Sequence, residues 1–269
     1  MKHDVLPRTG KAGPTAFTVQ GQGEPVVLVH GVGMAREIWA PQVAALAPRH
    51  RVVTCDLLGH GESDLPPEGV TLDDYANQLA GLLDHLGIPA ANVVGHSMGA
   101  LVALEFALAR PQRTLRVAAL NAVFERTPEQ RASVEARAAA LRAGGPAASV
   151  APTLERWFGN PVPEHLRAVA EQVGRLLQEV RTVGYARTYE LFACSDRVHS
   201  ERLPQLKMPA LFMTGEGDPN SSPAMSRAMA RLVPGASLQI LADARHMMTV
   251  THPERVNALL ADFLAGSIG

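Results

Sequence analysis

Cysteine is scarce: Cys55 and Cys194 stand far apart in a chain of 269 residues, and no CxxC spacing occurs. That excludes the disulfide framework of a small secreted domain and predicts two buried, reduced thiols. Apolar runs are all broken well before membrane-spanning length, so no membrane insertion is expected. Met1-Lys2-His3-Asp4 leads into Pro and Gly without an apolar targeting core, and the expectation is a cytoplasmic protein. An excess of either charge is lacking too, with 25 Lys and Arg against 26 Asp and Glu. With a formal net charge of -1 and scattered arginines there is no basic stripe, so nucleic acid is not an expected partner. The 10 histidines are dispersed, with no H-E-x-x-H and no paired Cys/His cluster, and no metal site is expected. The loop Gly59-His60-Gly61-Glu62-Ser63-Asp64 lacks the Lys-Ser/Thr pair of a phosphate loop and the full dinucleotide fingerprint, so no cofactor is implied. It reads as structural, with Asp56 fixing it.

What is present is a core. Hydrophobic residues make up 46% of the chain, enough for one large α/β domain with an insertion, and the length does not require two independent domains. The organising stretch is Ala91 to Ala100: an apolar strand-like run, then Gly95-His96-Ser97-Met98-Gly99, then an Ala/Leu-rich helix closed by Arg110-Pro111. Glycines on either side of a serine permit a sharp strand-to-helix turn where backbones crowd. Such a turn holds the Ser97 hydroxyl at a sheet edge and aims the Met98 amide at the same point. A serine nucleophile needs a base, and the base needs an orienting group. His246 follows a predicted strand over 237–241, and Asp218 sits in a glycine-rich acidic loop after the strand 210–214. Asp243, Asp196, Asp56 and Glu125 are alternative acids.

In chain order, strands are predicted over 17–20, 25–30, 51–57, 91–96, 115–124, 210–214 and 237–241. A short helix is predicted over 38–46, with Trp39 facing either pocket or core. Another opens at Thr71, with Leu79, Leu82, Leu83 and Leu86 at helical intervals. Thr127-Pro128-Glu129-Gln130 predicts a capped helix to about Leu141, broken by Gly144-Gly145-Pro146. A second follows Pro163 with the stripe Leu166, Val169, Val173, Leu177 and Val180. With Tyr185 to Cys194 these have no role inside a parallel sheet and read as an inserted helical lid over 125–203, with the core formed by 1–124 and 204–269. Ser222-Pro223 and Thr251-His252-Pro253-Glu254 predict two further helix starts, the latter a capping box.

Taken together, Gly95-x-Ser97-x-Gly99, His30-Gly31-Val32-Gly33, Asp56-x-x-Gly59-His60-Gly61-x-Ser63, Asp218 and His246 resemble the α/β-hydrolase superfamily from His30 to about Phe263. The chain order serine, acid, histidine is also that of the superfamily. The resemblance implies a mostly parallel eight-stranded sheet with helices on both faces and an inserted helical lid. It implies a serine hydrolase with the triad Ser97, His246 and Asp218, and an oxyanion hole from the amides of Val32 and Met98. Leu154-Glu155-Arg156-Trp157-Phe158, Tyr185, Asp196 and Leu203-Pro204 resemble the 3-oxoadipate enol-lactonase group. The loop Gly217 to Pro223 and the segment Ala244-Arg245-His246-Met247 depart from that group. The expected substrate is a small carboxylic ester, enol-lactone or activated amide, with or without a carboxylate. Met34, Trp157, Phe158, Arg156 and Arg187 are candidate substrate contacts, Arg181 a further cation, and a homo-oligomer is a possible assembly. Carbon-carbon bond hydrolysis of a ring-cleavage product, or a non-catalytic small-ligand receptor, are the alternatives on the same fold. Dehalogenation is disfavoured by serine at position 97, where those relatives carry aspartate.

Overall fold

A polar hairpin, β1 (Arg8–Ala12) and β2 (Thr15–Gln20), precedes the apolar strand β3 (Glu24–Val29). The chain continues through a 3-10 turn (Arg36–Trp39) into α1 (Ala40–Leu46), then β4 (His50–Cys55), α2 (Leu72–His85), β5 (Ala91–His96), α3 (Met98–Ala109) and β6 (Thr114–Leu120). Four helices follow: α4 (Pro128–Gly144), α5 (Val150–Phe158), α6 (Arg167–Glu179) and α7 (Thr182–Cys194). The remainder is β7 (Ala210–Gly215), α8 (Pro223–Leu232), β8 (Ser237–Leu241), α9 (Met248–Thr251) and α10 (Pro253–Leu264). This is a computed structural model that describes residues 8–145 and 149–268; Met1-Lys2-His3-Asp4 and Pro146, both read above, lie outside the described residues.

The eight strands form one sheet in the order β1-β2-β4-β3-β5-β6-β7-β8. The β1/β2 and β2/β4 pairs are antiparallel, and every pair from β4 onward is parallel. The central strands are buried on both faces, which is why Val26 to Val29, Val93-Val94 and Leu211-Phe212-Met213 read as continuous rather than alternating apolar runs. The parallel order brings the carboxyl ends of β3, β5, β6, β7 and β8 to one edge, where ligands bind in open α/β sheets. α3 is buried along most of its length between sheet and α2. Its buried Glu105 accepts from His199 Nε2 and from both Arg202 η nitrogens, tying the helix behind Ser97 to the segment after α7.

Capping boxes form at Thr71/Asp74 and Thr127/Gln130, each with both reciprocal bonds. The one read at Thr251 does not form. The Thr251 hydroxyl bonds the Met247 carbonyl inside the extra turn α9, and α10 starts at Pro253 after His252 without a side-chain cap. β1 was not anticipated, because Arg-Thr-Gly-Lys-Ala on an exposed edge carries no apolar alternation. β6 stops at Leu120, short of Phe124, because Asn121 turns to φ 50° and leaves the sheet. Cys55 is buried, whereas Cys194, expected to be buried, is exposed at the end of α7 with its thiol against the carbonyls of Glu190 and Leu191. Among the described residues, no helix is long and apolar enough to cross a membrane.

Candidate active site

The turn after β5 puts Ser97 at φ 56° and ψ -117°, a conformation that L-residues rarely adopt. Crowding explains the flanking glycines. A Cβ on Gly95 would stand 2.0 Å from the Gly99 carbonyl oxygen, and one on Gly99 would stand 2.1 Å from that of Val29. Ser97 is held by its own amide, which donates to the Leu120 carbonyl at 2.8 Å, and its side chain stands at the carboxyl edge of the sheet. Met98 is the first residue of α3, so its amide has no acceptor one turn back.

His246 arrives on the loop after β8. Its Nε2 lies 3.1 Å from Ser97 Oγ, and its Nδ1 lies 2.8 Å from Asp218 Oδ2. Asp218 is buried and fully used: Oδ1 accepts from the Asn220 and Ser221 amides at 2.8 and 3.1 Å, and Oδ2 also accepts from Asn121 Nδ2 at 2.7 Å. Burial alone would raise its pKa, but the His246 imidazole and these donors outweigh it and hold the carboxyl below the usual carboxylate range. An ionised Asp218 places the imidazole proton on Nδ1, leaving Nε2 free to accept from the serine.

The loop Gly31 to Met34 runs against the serine, since a Cβ on Gly31 would stand 3.0 Å from Ser97 Cβ. Its conformation is set by two neutral histidines. His30 Nδ1-H donates to the Gly31 carbonyl at 2.7 Å while Nε2 accepts from the Leu57 amide at 3.0 Å, and His60 Nε2 accepts from the Gly33 amide at 2.9 Å. Burial pushes His30 down to about 4 and His60 down to about 3, the latter helped by His30, so both acceptor nitrogens stay unprotonated at neutral pH. With the Gly33 and Met34 amides engaged, the Val32 amide is left, among the described residues, without an intramolecular acceptor. A third neutral histidine, His96, is held to about 3 by burial and by neighbouring His246; its Nε2-H donates to the His246 carbonyl at 2.8 Å and anchors that loop beside Ser97.

Above these groups is a cavity of about 330 Å³ whose lining includes Val32, Ser97 and His246. Residues of α4, α5 and α7 complete its lining. Trp157 faces His246 with ring centroids 5.3 Å apart, and Arg156 and Tyr185 line the same space.

The model of the α/β hydrolase fold family matches residues 24–253. The chain belongs to that family. Among relatives of this α/β hydrolase is the (E)-2-((N-methylformamido)methylene)succinate hydrolase of Acinetobacter baylyi, 35% identical over 91% of this chain and 92% of that protein. The enol-lactonase of Burkholderia xenovorans has a solved structure 29% identical over 96% of this chain and all of that one, with TM-score 0.86. A thermophilic esterase of Thermogutta terrifontis, solved with malate bound, is 28% identical over 98% of this chain with TM-score 0.85. These likenesses make this α/β hydrolase an enzyme related to enol-lactonases.

Three candidate substrate contacts do not reach the cavity. Met34 and Phe158 are buried in the core, and Arg187 is drawn away by the Pro66 carbonyl at 2.7 Å and Glu68 at 2.9 Å. Arg181 likewise bonds the Ser63 carbonyl, and Trp39 is a core residue edge-on to His96. The alternative acids are occupied elsewhere. Asp56 accepts the Arg36 and Glu62 amides and the Arg36 guanidinium, Asp196 pairs with Arg126 and Arg131, and Asp243 and Glu125 are exposed. Reading the sequence missed Asn121, His96 and Arg137. Asn121 was recoverable as the polar residue ending a strand next to that of the acid; Arg137, on a helix with many exposed arginines, carried no distinguishing signal. No group of three His, Cys, Asp or Glu side chains suited to a metal occurs among the described residues.

Proposed function

We propose that the protein is a serine hydrolase cleaving a small carboxylic ester, enol-lactone or activated amide, with Ser97 as nucleophile, His246 as base and then acid, and Asp218 as the orienting carboxylate. The observation that carries this reading is the continuous hydrogen-bonded chain from Ser97 Oγ through both His246 nitrogens to Asp218, opening on one cavity. Ser97 Oγ bonds to the substrate carbonyl carbon as its proton passes to His246 Nε2. The oxyanion so formed is met by the Val32 and Met98 amides, each such donor stabilising the transition state by about 3 kcal/mol. The bond to the leaving oxygen or nitrogen then breaks as that atom takes the proton from Nε2. Water attacks the acyl-enzyme, gives its proton to the same nitrogen, and releases the acid and free Ser97.

The helices over 125–203 act in this reading as the lid that closes the reacting centre from water. A carboxylated substrate is supported by the relatives, one named for a succinate derivative and another solved with malate. An amide as well as an ester is supported by the first of these, whose name specifies a formamido group. The test is kcat over a panel of small esters, lactones and enamides for the wild type and Ser97→Ala. Loss of about 10⁴-fold or more in kcat is expected, and a folded Ser97→Ala protein with wild-type turnover would reject the nucleophile.

A further inference from the structure

The cavity is unequally charged. Three arginines line it, Arg126, Arg137 and Arg156, and the first is already neutralised. Arg126 is buried against Asp196 and the carbonyls of Phe192 and Ala193. The other two have only neutral partners. Arg137 donates to Tyr189 Oη at 3.1 Å and to Ser133 Oγ at 2.7 Å, and Arg156 donates to Thr153 Oγ1 at 3.1 Å and, at the limit of 3.5 Å, to the Pro152 carbonyl. Arg156 Nε is buried with no hydrogen-bond partner among the described residues. Neither guanidinium is in an ion pair among the described residues. Glu129 is the single acidic side chain in the lining, and it is exposed at the start of α4.

Two like charges facing one cavity, one with a buried unsatisfied donor, are costly unless an anion enters between them. Burial first, and the nearby Arg137 second, lower the pKa of the Arg156 guanidinium, against opposing effects of Tyr189, Tyr185 and Asp218. The helices α4 and α5 that carry these arginines line the same cavity as Ser97 and His246, so an anion held there and a carbonyl at Ser97 can belong to one molecule.

We propose that Arg137 and Arg156 form a carboxylate clamp, and that the enzyme acts on acyl compounds bearing a free carboxylate, which the clamp holds while the carbonyl is presented to Ser97. This deepens the hydrolase reading and rests on it for the reaction, but not for the binding. Arginine suits the task because its planar fork meets both carboxylate oxygens.

The test is calorimetric titration of succinate, and of succinamide as its uncharged counterpart, into the Ser97→Ala protein, where turnover plays no part. Succinate is expected to bind and succinamide to bind at least about tenfold more weakly. Arg137→Gln and Arg156→Gln, each in the Ser97→Ala background and checked for folding by circular dichroism, should each weaken succinate by about tenfold or more, the scale of one charge-assisted hydrogen bond. Arg156→Lys should fall between wild type and Gln, since it keeps the charge and loses the fork. Arg187→Gln, whose guanidinium sits on the Pro66 to Glu68 loop, should leave succinate affinity unchanged. Equal affinity for succinate and succinamide, or succinate affinity unmoved in both Gln variants, overturns the clamp even if Ser97 proves to be the nucleophile. Succinate binding lost in both variants supports it even if Ser97 does not.

Discussion

Asp218→Asn isolates the orienting group without changing its shape. Oδ1 faces two backbone amides, Asn220 and Ser221, and Oδ2 faces Asn121 Nδ2 and His246 Nδ1. An asparagine must therefore put its oxygen toward the two amides and its NH₂ toward His246. Asn121 can adjust by an amide flip, since its own Oδ1 is buried without a partner among the described residues, at the loss of its bond to Thr214 Oγ1. His246 can only adjust by changing tautomer, which places the proton on Nε2, against Ser97, where it cannot act as a base. Restoring the productive tautomer sets two buried donors face to face, at about 1–3 kcal/mol. The imidazolium formed in the reaction also loses a carboxylate, worth about 4 kcal/mol for charge centres about 4 Å apart at an effective dielectric of about 20. The sum of about 5–7 kcal/mol corresponds to a fall in kcat of about 10⁴- to 10⁵-fold. The assay is steady-state hydrolysis of 4-nitrophenyl butyrate with circular dichroism to verify the fold. A folded Asp218→Asn enzyme within about tenfold of wild-type kcat would refute both the tautomer argument and the assignment of the acid.

Two further outcomes concern stability. Asp196→Ala should lower the unfolding free energy by about 3–5 kcal/mol in urea titrations, because it strands the buried Arg126 guanidinium at the start of the inserted helices; an effect below about 1 kcal/mol would show that the pair is not structurally coupled. Acid should destabilise the fold through His30, His60 and His96, whose folded-state pKa values of about 4, 3 and 3 lie below the ordinary 6.5. The unfolded chain then binds protons first as pH drops through about 6.5, so the stability of the neutral rings is whole above that pH and is lost progressively toward pH 4 and below, at up to about 1.36 kcal/mol per pH unit for each ring. Urea midpoints that do not move between pH 7.5 and 5 would contradict the three neutral rings.

Local chemistry was legible in the chain itself. Apolar runs too continuous for a half-exposed sheet announced strands covered on both faces, and the glycines around Ser97 announced a turn whose crowding the backbone distances bear out. The capping pairs Thr71/Asp74 and Thr127/Gln130 are decided within four residues, so sequence sufficed for them. Thr251 carried the same signature and failed, because its hydroxyl found the Met247 carbonyl first. Only tertiary structure decided matters of distance between remote segments. It drew Arg187 off to the loop at 66–68 and left Arg137 and Arg156 facing a shared cavity, although the sequence offers Arg156 and Arg187 as substrate contacts and does not single out Arg137. A long flexible cation has no intrinsic direction, so its partner is set by whichever acceptor the packing of other segments brings within reach.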